Sequence, residues 1–302
     1  MSNKVTCPLC NSESSAILKT FQVSSLAQLW KKNMGFNPFL KTKDEELEKR
    51  LCVNCGLVHF YPSIIGDASF YSRLSTDEGY YPDNKWEFDK AIEVISQFKP
   101  ASILEIGCGE GHFLSRITAC AKRVLGVDIN SRALAIAEKK GLNVSNQSIE
   151  EIDEKFDMVV LFQVLEHLEL PKDVISAAVD KLNPGGVLML AVPNPDGFLK
   201  YVDIHLLDMP PHHSTIWSKK ALCYLAEQCG LTTTGYETEP LRFEHLRVQL
   251  FSQINQDKRM WRIIKFMQKI TVLLCLPILY MLHKPVDNLG QSHMILAKKV
   301  VL

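Results

Sequence analysis

Apolar positions recur with two different periods along the chain. From Trp86 to Phe98 they follow helical spacing, and Pro100 ends the pattern. Ile103, Leu104 and Ile106 then predict a buried strand, after which Gly107, Gly109 and Gly111 punctuate a tight turn into a helix from about His112. Arg123 to Val127 predicts a second strand ending at Asp128, with Ser131 capping a helix that runs to Lys140. Leu142 to Val144 reads as a short third strand, and Phe156 to Phe162 is almost continuously apolar, as a parallel strand covered on both faces requires. Pro171 opens a helix through Lys181, Asn183-Pro184-Gly185-Gly186 turns the chain, and Val187 to Val192 supplies a fifth strand. Leu222 to Cys229 lies on a further helix, Leu231 to Glu237 is a sixth strand and His293 to Lys299 the last. This alternation predicts an α/β fold, a doubly wound, seven-stranded and mostly parallel sheet whose ligands bind beyond the carboxyl ends of the strands.

Ahead of that domain stand two short-spaced cysteine pairs, Cys7-Pro-Leu-Cys10 and Cys52-Val-Asn-Cys55, the second followed by Gly56. A two-residue gap lets both thiolates of a pair face one ion, and two pairs supply the four soft ligands of a closed, structural zinc site. Between the pairs, Lys41 to Arg50 is strongly polar and predicts a solvated helix or loop outside the knuckles. The connector that follows is aromatic and loop-like, with Phe70, Tyr71, Tyr80 and Tyr81 as plugs between the two parts, or Tyr71 and Tyr80 as a lid with a free phenol. The expected organisation is a zinc ribbon over 1–62, an aromatic linker or lid over 63–84, and the sheet domain over 85–302 with an insertion at 241–288.

Within the insertion, residues 258–284 begin with Trp261, Ile264 and Met267 interleaved with Lys258, Arg262, Lys265 and Lys269, an amphipathic pattern with a cationic face. Ile270 to Leu282 carries no charge but is too short to span a bilayer core of about 30 Å, and Pro277 should kink it. Basic flanks with Trp261 and Tyr280 fit a helix resting in an anionic interface, whereas a soluble chain would use the segment as a cap over the sheet or a dimer contact.

The 302 residues are 46% hydrophobic and 23% charged, enough apolar material for a core and too little polarity for disorder. Lys+Arg and Asp+Glu are both 34, so no global field favours nucleic acid as a partner. The opening MSNKVTCPLC lacks the pattern of a signal peptide, which predicts a cytoplasmic protein whose nine cysteines are thiols or metal ligands, with any membrane association on the cytoplasmic face.

The glycine turn brings backbone amides and a helix N-terminus against a ligand, and an acidic residue closing the second strand suits a ribose. That geometry serves NAD and S-adenosylmethionine alike. Glu105 separates them, because a carboxylate beside the turn is an awkward neighbour for a pyrophosphate and a good one for a cationic ligand. The spacing GCGEG also departs from the phosphate fingerprint.

LEIGCGEG, VDIN, FDMVVLFQVLEHL, LNPGGVLMLAVPN and the closing HMILAKK resemble the class I, Rossmann-like S-adenosylmethionine-dependent methyltransferases, in particular the small-molecule branch that includes the ubiquinone-biosynthetic O-methyltransferases. CPLC and CVNCGLV are similar to the zinc ribbon that precedes this domain in a bacterial subgroup. The resemblance implies transfer of a methyl group to a small-molecule or lipid-linked acceptor, most simply at a hydroxyl. It places Glu105, Gly107, Gly109 and Gly111 under the methionine part of the cofactor, Asp128 on the ribose, Ile129, Ser148 and Ile149 about the adenine, and Gln163 near the methionine end; Glu166 and His167 match the family's EH pair. A hydroxyl acceptor needs a base, for which His167, His212 and His213 are the candidates, His213 ahead of His212. His205 and Asp208 stand near them at a spacing irregular for a metal. A nucleotide-linked oxidoreductase and a non-catalytic scaffold on the same sheet are the alternatives.

Overall fold

The computed structural model describes residues 5–76, 80–201, 204–242, 245, 262–282 and 289–300. Seven strands form the central sheet: β4 (Ser102–Ile106), β5 (Arg123–Val127), β6 (Val144–Ser145), β7 (Phe156–Phe162), β8 (Leu182–Pro193), β10 (Leu231–Thr238) and β11 (Ser292–Lys299). Their order is β10-β11-β8-β7-β4-β5-β6, with β11 antiparallel to both neighbours and the other pairs parallel. The period of two is visible on β7. Met158, Val160 and Phe162 pack with Phe88, Ala91 and Ile95 of α3 (Trp86–Phe98) and with Phe113 of α4 (His112–Ile117). Val159 and Leu161 face a second cluster with Ile175 of α6 (Pro171–Asp180) and Leu222 of α7 (Lys219–Gln228). Both faces of the strand are therefore covered, as its unbroken apolar run requires.

Several local expectations are corrected. Asn130, not Ser131, caps α5 (Ser131–Lys139), its side chain accepting from the amides of Arg132 and Ala133. The third strand starts at Val144, later than expected. Asn183 to Gly186 do not leave the sheet: β8 begins at Leu182, and its register against β7 slips between the Phe156 and Met158 pairings, so the four residues form a bulge.

The N-terminal part departs furthest from the sequence reading. Four antiparallel strands, β1 (Ser15–Gln22), β2 (Glu46–Cys52), β3 (Val58–Tyr61) and β9 (Thr215–Ile216), lie in the order β1-β2-β3-β9, with α1 (Val23–Met34) between β1 and β2. Thus the polar stretch expected as a solvated helix or loop contains a strand, whose Leu47 points into a cluster with Trp30, Phe60 and Phe70. The aromatic connector likewise holds a short helix, α2 (Ala68–Leu74), capped by Asp67. Because β9 comes from the sheet domain, the ribbon is stitched to it: His59 pairs with Thr215 and Val58 with Ile216.

Arg262–Leu282 form α8, which continues through Pro277. Most of the described apolar side chains on it are exposed, Leu274 by 74% and Met267 by 63%. No helix among the described residues is long and apolar enough to cross a membrane. Lys258 and Trp261 lie outside the described residues.

Candidate functional site

A chamber of about 440 Å³ opens beyond the carboxyl ends of β4, β7 and β8, lined at those ends by Glu105 with Gly107, by Gln163 and by Pro193. The turn after β4 must double back tightly. Gly107 has φ +79°, and a Cβ there would come within 2.4 Å of Val164; Gly109 has φ +52°, and a Cβ there would come within 2.6 Å of the Tyr81 ring. Gly111 is the left-handed N-cap of α4. Asp128 holds the turn from the next strand end, one carboxylate oxygen accepting from the Gly109 amide at 2.8 Å and the other from the Asn130 amide at 2.8 Å. Burial nevertheless leaves the Asp128 carboxyl above the ordinary range, against those hydrogen bonds.

Glu105 is buried at the floor of the chamber, and its Oε2 has no hydrogen-bond partner among the described residues. Burial drives its carboxyl well above the usual range; Lys85 opposes that shift and Asp128 adds to it. A buried carboxylate left without a partner is costly, and a cation delivered into the chamber removes the cost. Gln163 follows β7 with φ +59°, a conformation held by hydrogen bonds from its amide nitrogen to Glu87 at 3.0 Å and Ser292 at 3.2 Å.

The structure brings Glu105, Gly107, Gly109 and Gln163 together on the chamber wall. Ile129 is 70% exposed just past the end of β5, whereas Ile149, expected beside an adenine, is buried in the large core cluster, and the Ser148 amide is taken by the Glu151 carboxylate at 2.8 Å. The sequence offers Tyr81 only as a plug in the connector. It stands against Gly109 and accepts from Asn130 at 3.2 Å, a role that only the fold makes visible.

The opposite wall is built from histidines. His167 donates its Nδ1 proton to the carbonyl of His212 at 2.6 Å, His212 donates Nδ1 to the carbonyl of Leu207 at 2.7 Å, and His213 Nδ1 faces Asp208 at 3.3 Å. A carbonyl or an ionised carboxylate only accepts, so all three rings carry the proton on Nδ1 and present Nε2. Tyr80 donates to His212 Nε2 at 3.2 Å, and Tyr71 reaches the His212 carbonyl at 3.4 Å. Both phenols thus pack against the wall and are not free. One nitrogen from each of the three imidazoles falls within 4.8 Å of the others, and the Tyr80 phenol takes His212 Nε2.

Burial lowers the affinity of these rings for a second proton, to about 3 for His167 and His212 and to about 4 for His213, where hydrogen bonding to Asp208 works the other way. Burial alone would raise Asp208, yet the hydrogen bonds from His205 and His213 prevail and hold its carboxyl below the ordinary range. His205 and Asp208 are thereby tied to each other at 3.2 Å. Glu166, also buried, is pushed up to about 8, mainly by burial; neither of its oxygens has a hydrogen-bond partner among the described residues, and Oε1 lies 3.9 Å from His213 Nε2.

Away from the chamber, Cys7 Sγ lies 3.6 Å from Cys55 Sγ and Cys10 Sγ 3.5 Å from Cys52 Sγ, with all four sulfurs within 4.8 Å of one another. Tetrahedral zinc with bonds of about 2.3 Å needs sulfurs about 3.8 Å apart, so the cluster fits. Gly56, with φ +79°, closes the second knuckle, and its carbonyl accepts from the Ser218 hydroxyl that caps α7.

Residues 83–235 match a family model described as a methyltransferase domain. A "Probable S-adenosylmethionine-dependent methyltransferase" of Mycolicibacterium smegmatis is 32% identical over 142 residues, 45% of this chain and 52% of that protein. A ubiquinone biosynthesis O-methyltransferase of Dinoroseobacter shibae is 28% identical over 162 residues, 48% of this chain and 65% of that protein. The chain thus spans between about half and just under two thirds of these relatives. Among solved structures, a SAM-dependent methyltransferase from Archaeoglobus fulgidus aligns with a TM-score of 0.49 at 20% identity, covering 70% of this chain and 93% of that one.

The buried neutral histidines set an acid limit on stability. Unfolded, each takes a proton near pH 6.5; folded, they resist it down to about 3 or 4, so stability is present above pH 6.5 and is lost as the pH falls through that window. Chemical denaturation between pH 7 and 4 is expected to show this fall, with a shallower slope in His212→Gln.

Proposed function

The chain belongs to the methyltransferase-domain family, and from that premise we propose that it transfers a methyl group from S-adenosylmethionine to a hydroxyl of a small or lipid-linked acceptor. Glu105 carries the reading. It is a buried carboxyl group next to a glycine turn, with one oxygen that has no hydrogen-bond partner among the described residues, and it suits the cationic methionine end of this donor and no part of a pyrophosphate. Gly107 and Gly109 keep the floor open, Asp128 and Ile129 stand on the ribose and adenine side, and Gln163 stands at the methionine end. When bound, the donor supplies a methyl group on a positively charged sulfur: the carbon–sulfur bond breaks as the carbon–oxygen bond forms, and the electron pair stays on sulfur.

His213 takes the proton released by the hydroxyl. Asp208 fixes its tautomer and orientation, as the acidic member of a catalytic triad does, and leaves Nε2 towards the chamber. A neutral base is required, and burial supplies one at neutral pH. Asp208, held ionised by its hydrogen bonds, offsets the charge formed on the ring. His167 and His212 hold the wall in place through their backbone contacts.

Titration calorimetry with S-adenosylmethionine, its demethylated product and NAD, followed by labelled-methyl transfer into a metabolite extract, tests the reading; binding of NAD alone would overturn it. Glu105→Gln should weaken donor affinity by about 10- to 150-fold, the worth of a hydrogen bond to a charged group. His213→Asn should lower turnover by about 10²- to 10⁴-fold with donor affinity unchanged.

The four cysteines are read as a structural zinc site. One zinc per chain is the expected elemental analysis, and Cys52→Ser should lose it. Because Cys52, Cys55 and Leu57 share a core cluster with Trp217 and Leu222, the loss should appear as lower stability of the whole chain and not as separate melting of the ribbon.

The exposed apolar face of α8, in a sequence that also carries Arg262, Lys265 and Lys269, supports contact with an anionic membrane on the cytoplasmic side and hence a lipid-linked acceptor. Replacing Leu273 and Leu274 with Ser should abolish co-sedimentation with anionic vesicles while sparing activity on a water-soluble acceptor. Unchanged sedimentation would leave a dimer contact as the use of this helix.

A further inference from the structure

Three elements meet at the side chain of Gln163. Glu87 stands in the first turn of α3, Gln163 just past the end of β7 and Ser292 at the start of β11, and all three border the chamber. The φ of +59° at Gln163 is costly for a residue with a Cβ and persists only where the surroundings impose it. The backbone there is pinned by the Ala191 carbonyl, which accepts from the Gln163 amide at 2.8 Å. Ser292 is placed as firmly: its amide donates to Glu239 Oε2 at 3.1 Å, and its carbonyl accepts from the Glu239 amide at 2.9 Å.

A side-chain amide has two ends of nearly the same shape and opposite hydrogen-bonding character, so its neighbours decide which way it faces. Nε2 of Gln163 carries two protons and meets two acceptors, Glu87 Oε1 at 3.0 Å and Ser292 Oγ at 3.2 Å. A carboxylate only accepts, so Glu87 admits the nitrogen end and rejects the oxygen end. Glu87 is buried, where a carboxylate is otherwise costly, and the free amides at the start of α3 favour a negative charge in that turn. Oε1 of Gln163 is thereby left with no hydrogen-bond partner among the described residues, on a side chain that lines the chamber. Glu105 lies on β4, the strand paired with β7, and borders the same space.

Resting on the methyl-transfer reading, we propose that Glu87 is a positioning residue for the donor: with Ser292 it fixes the Gln163 amide so that Oε1 accepts a hydrogen bond from the α-ammonium group of S-adenosylmethionine, alongside Glu105. The reversed amide would turn two N–H donors towards a cation. Glu87 acts through Gln163 and not by contact with the donor. Recognition of the amine then depends on α3, the helix that follows the aromatic linker, as well as on the strand ends.

The test uses the full chain and two ligands, S-adenosylhomocysteine and its analogue with hydrogen in place of the α-amino group, compared by calorimetry. The wild-type chain should favour the amine by at least about tenfold, the worth of hydrogen bonds to a charged group. Glu87→Gln keeps the shape but offers either amide end; it should cut S-adenosylhomocysteine affinity by about tenfold and leave that of the deaminated analogue unchanged. Ser292→Ala, which removes the second acceptor, should act in the same direction and decides the matter if Glu87→Gln does not fold. In a Gln163→Met background Glu87→Gln should have no further effect, because residues acting through one contact are not additive. Equal weakening of both ligands by Glu87→Gln marks a packing role and overturns the proposal; so does an effect that survives in Gln163→Met, which marks direct contact. A wild-type chain that binds S-adenosylhomocysteine without favouring the amine defeats the proposal alone, whereas one that binds neither ligand defeats the donor reading with it.

Discussion

The pairing of β3 with β9 holds the molecule's functional parts in register. The ladder between them is short, His59 with Thr215 and Val58 with Ile216, yet the segment leading into β9 is bonded on both sides. The Phe60 amide reaches the Ser214 carbonyl, while the Ser214 amide and hydroxyl reach back to the carbonyls of Glu166 and Leu168, and the Thr215 hydroxyl to that of Leu165. The stretch carrying His212 and His213 is therefore fixed between the ribbon and the turn after β7. Without that clamp, a loop following two prolines would have no reason to present its imidazoles to the ends of the parallel strands. The cysteine knuckle secures the far side of the same junction, through the Ser218 cap and a shared core around Trp217.

The chemistry of the chamber follows from exclusion of water. Burial turns the usual protonation order around: the carboxyls of Glu105 and Glu166 rise and the imidazoles fall. Asp208 is the exception, because two histidines bond to it. One ionised carboxylate among neutral bases gives the wall a definite polarity, and this is what distinguishes His213, bonded to Asp208, from His167 and His212, bonded to carbonyls.

Much of the sheet domain is legible in the sequence because its strands are buried on both faces and its helices on one, so their periods stand out in the residues themselves. Glu105, Asp128 and Gln163 can be located for the same reason: each lies at or just past the end of a strand that is marked. The ribbon is not legible, since β1 exposes most of its residues and buries only Phe21, and β2 is a charged strand in which Leu47 and Cys52 alone are buried. Neither offers alternation to read. Asn130 escapes notice because it precedes a residue that caps equally well, and the Asp208–His213 contact because a one-turn 3₁₀ segment, Leu206–Asp208, closes a spacing that looks irregular in sequence.

Tyr80 and Tyr81 are neighbours in the chain, but they touch different halves of the site: one bonds to His212 on the histidine wall, the other lies against Gly109 on the glycine floor. A ligand that displaces either ring must strain the backbone they share. If the proposed donor and acceptor occupy these two halves, any coupling carried by the dipeptide is reciprocal: whatever factor one ligand imposes on the affinity of the other, the other imposes equally in return. The aromatic linker would then act on binding without contributing an atom to the proposed transfer.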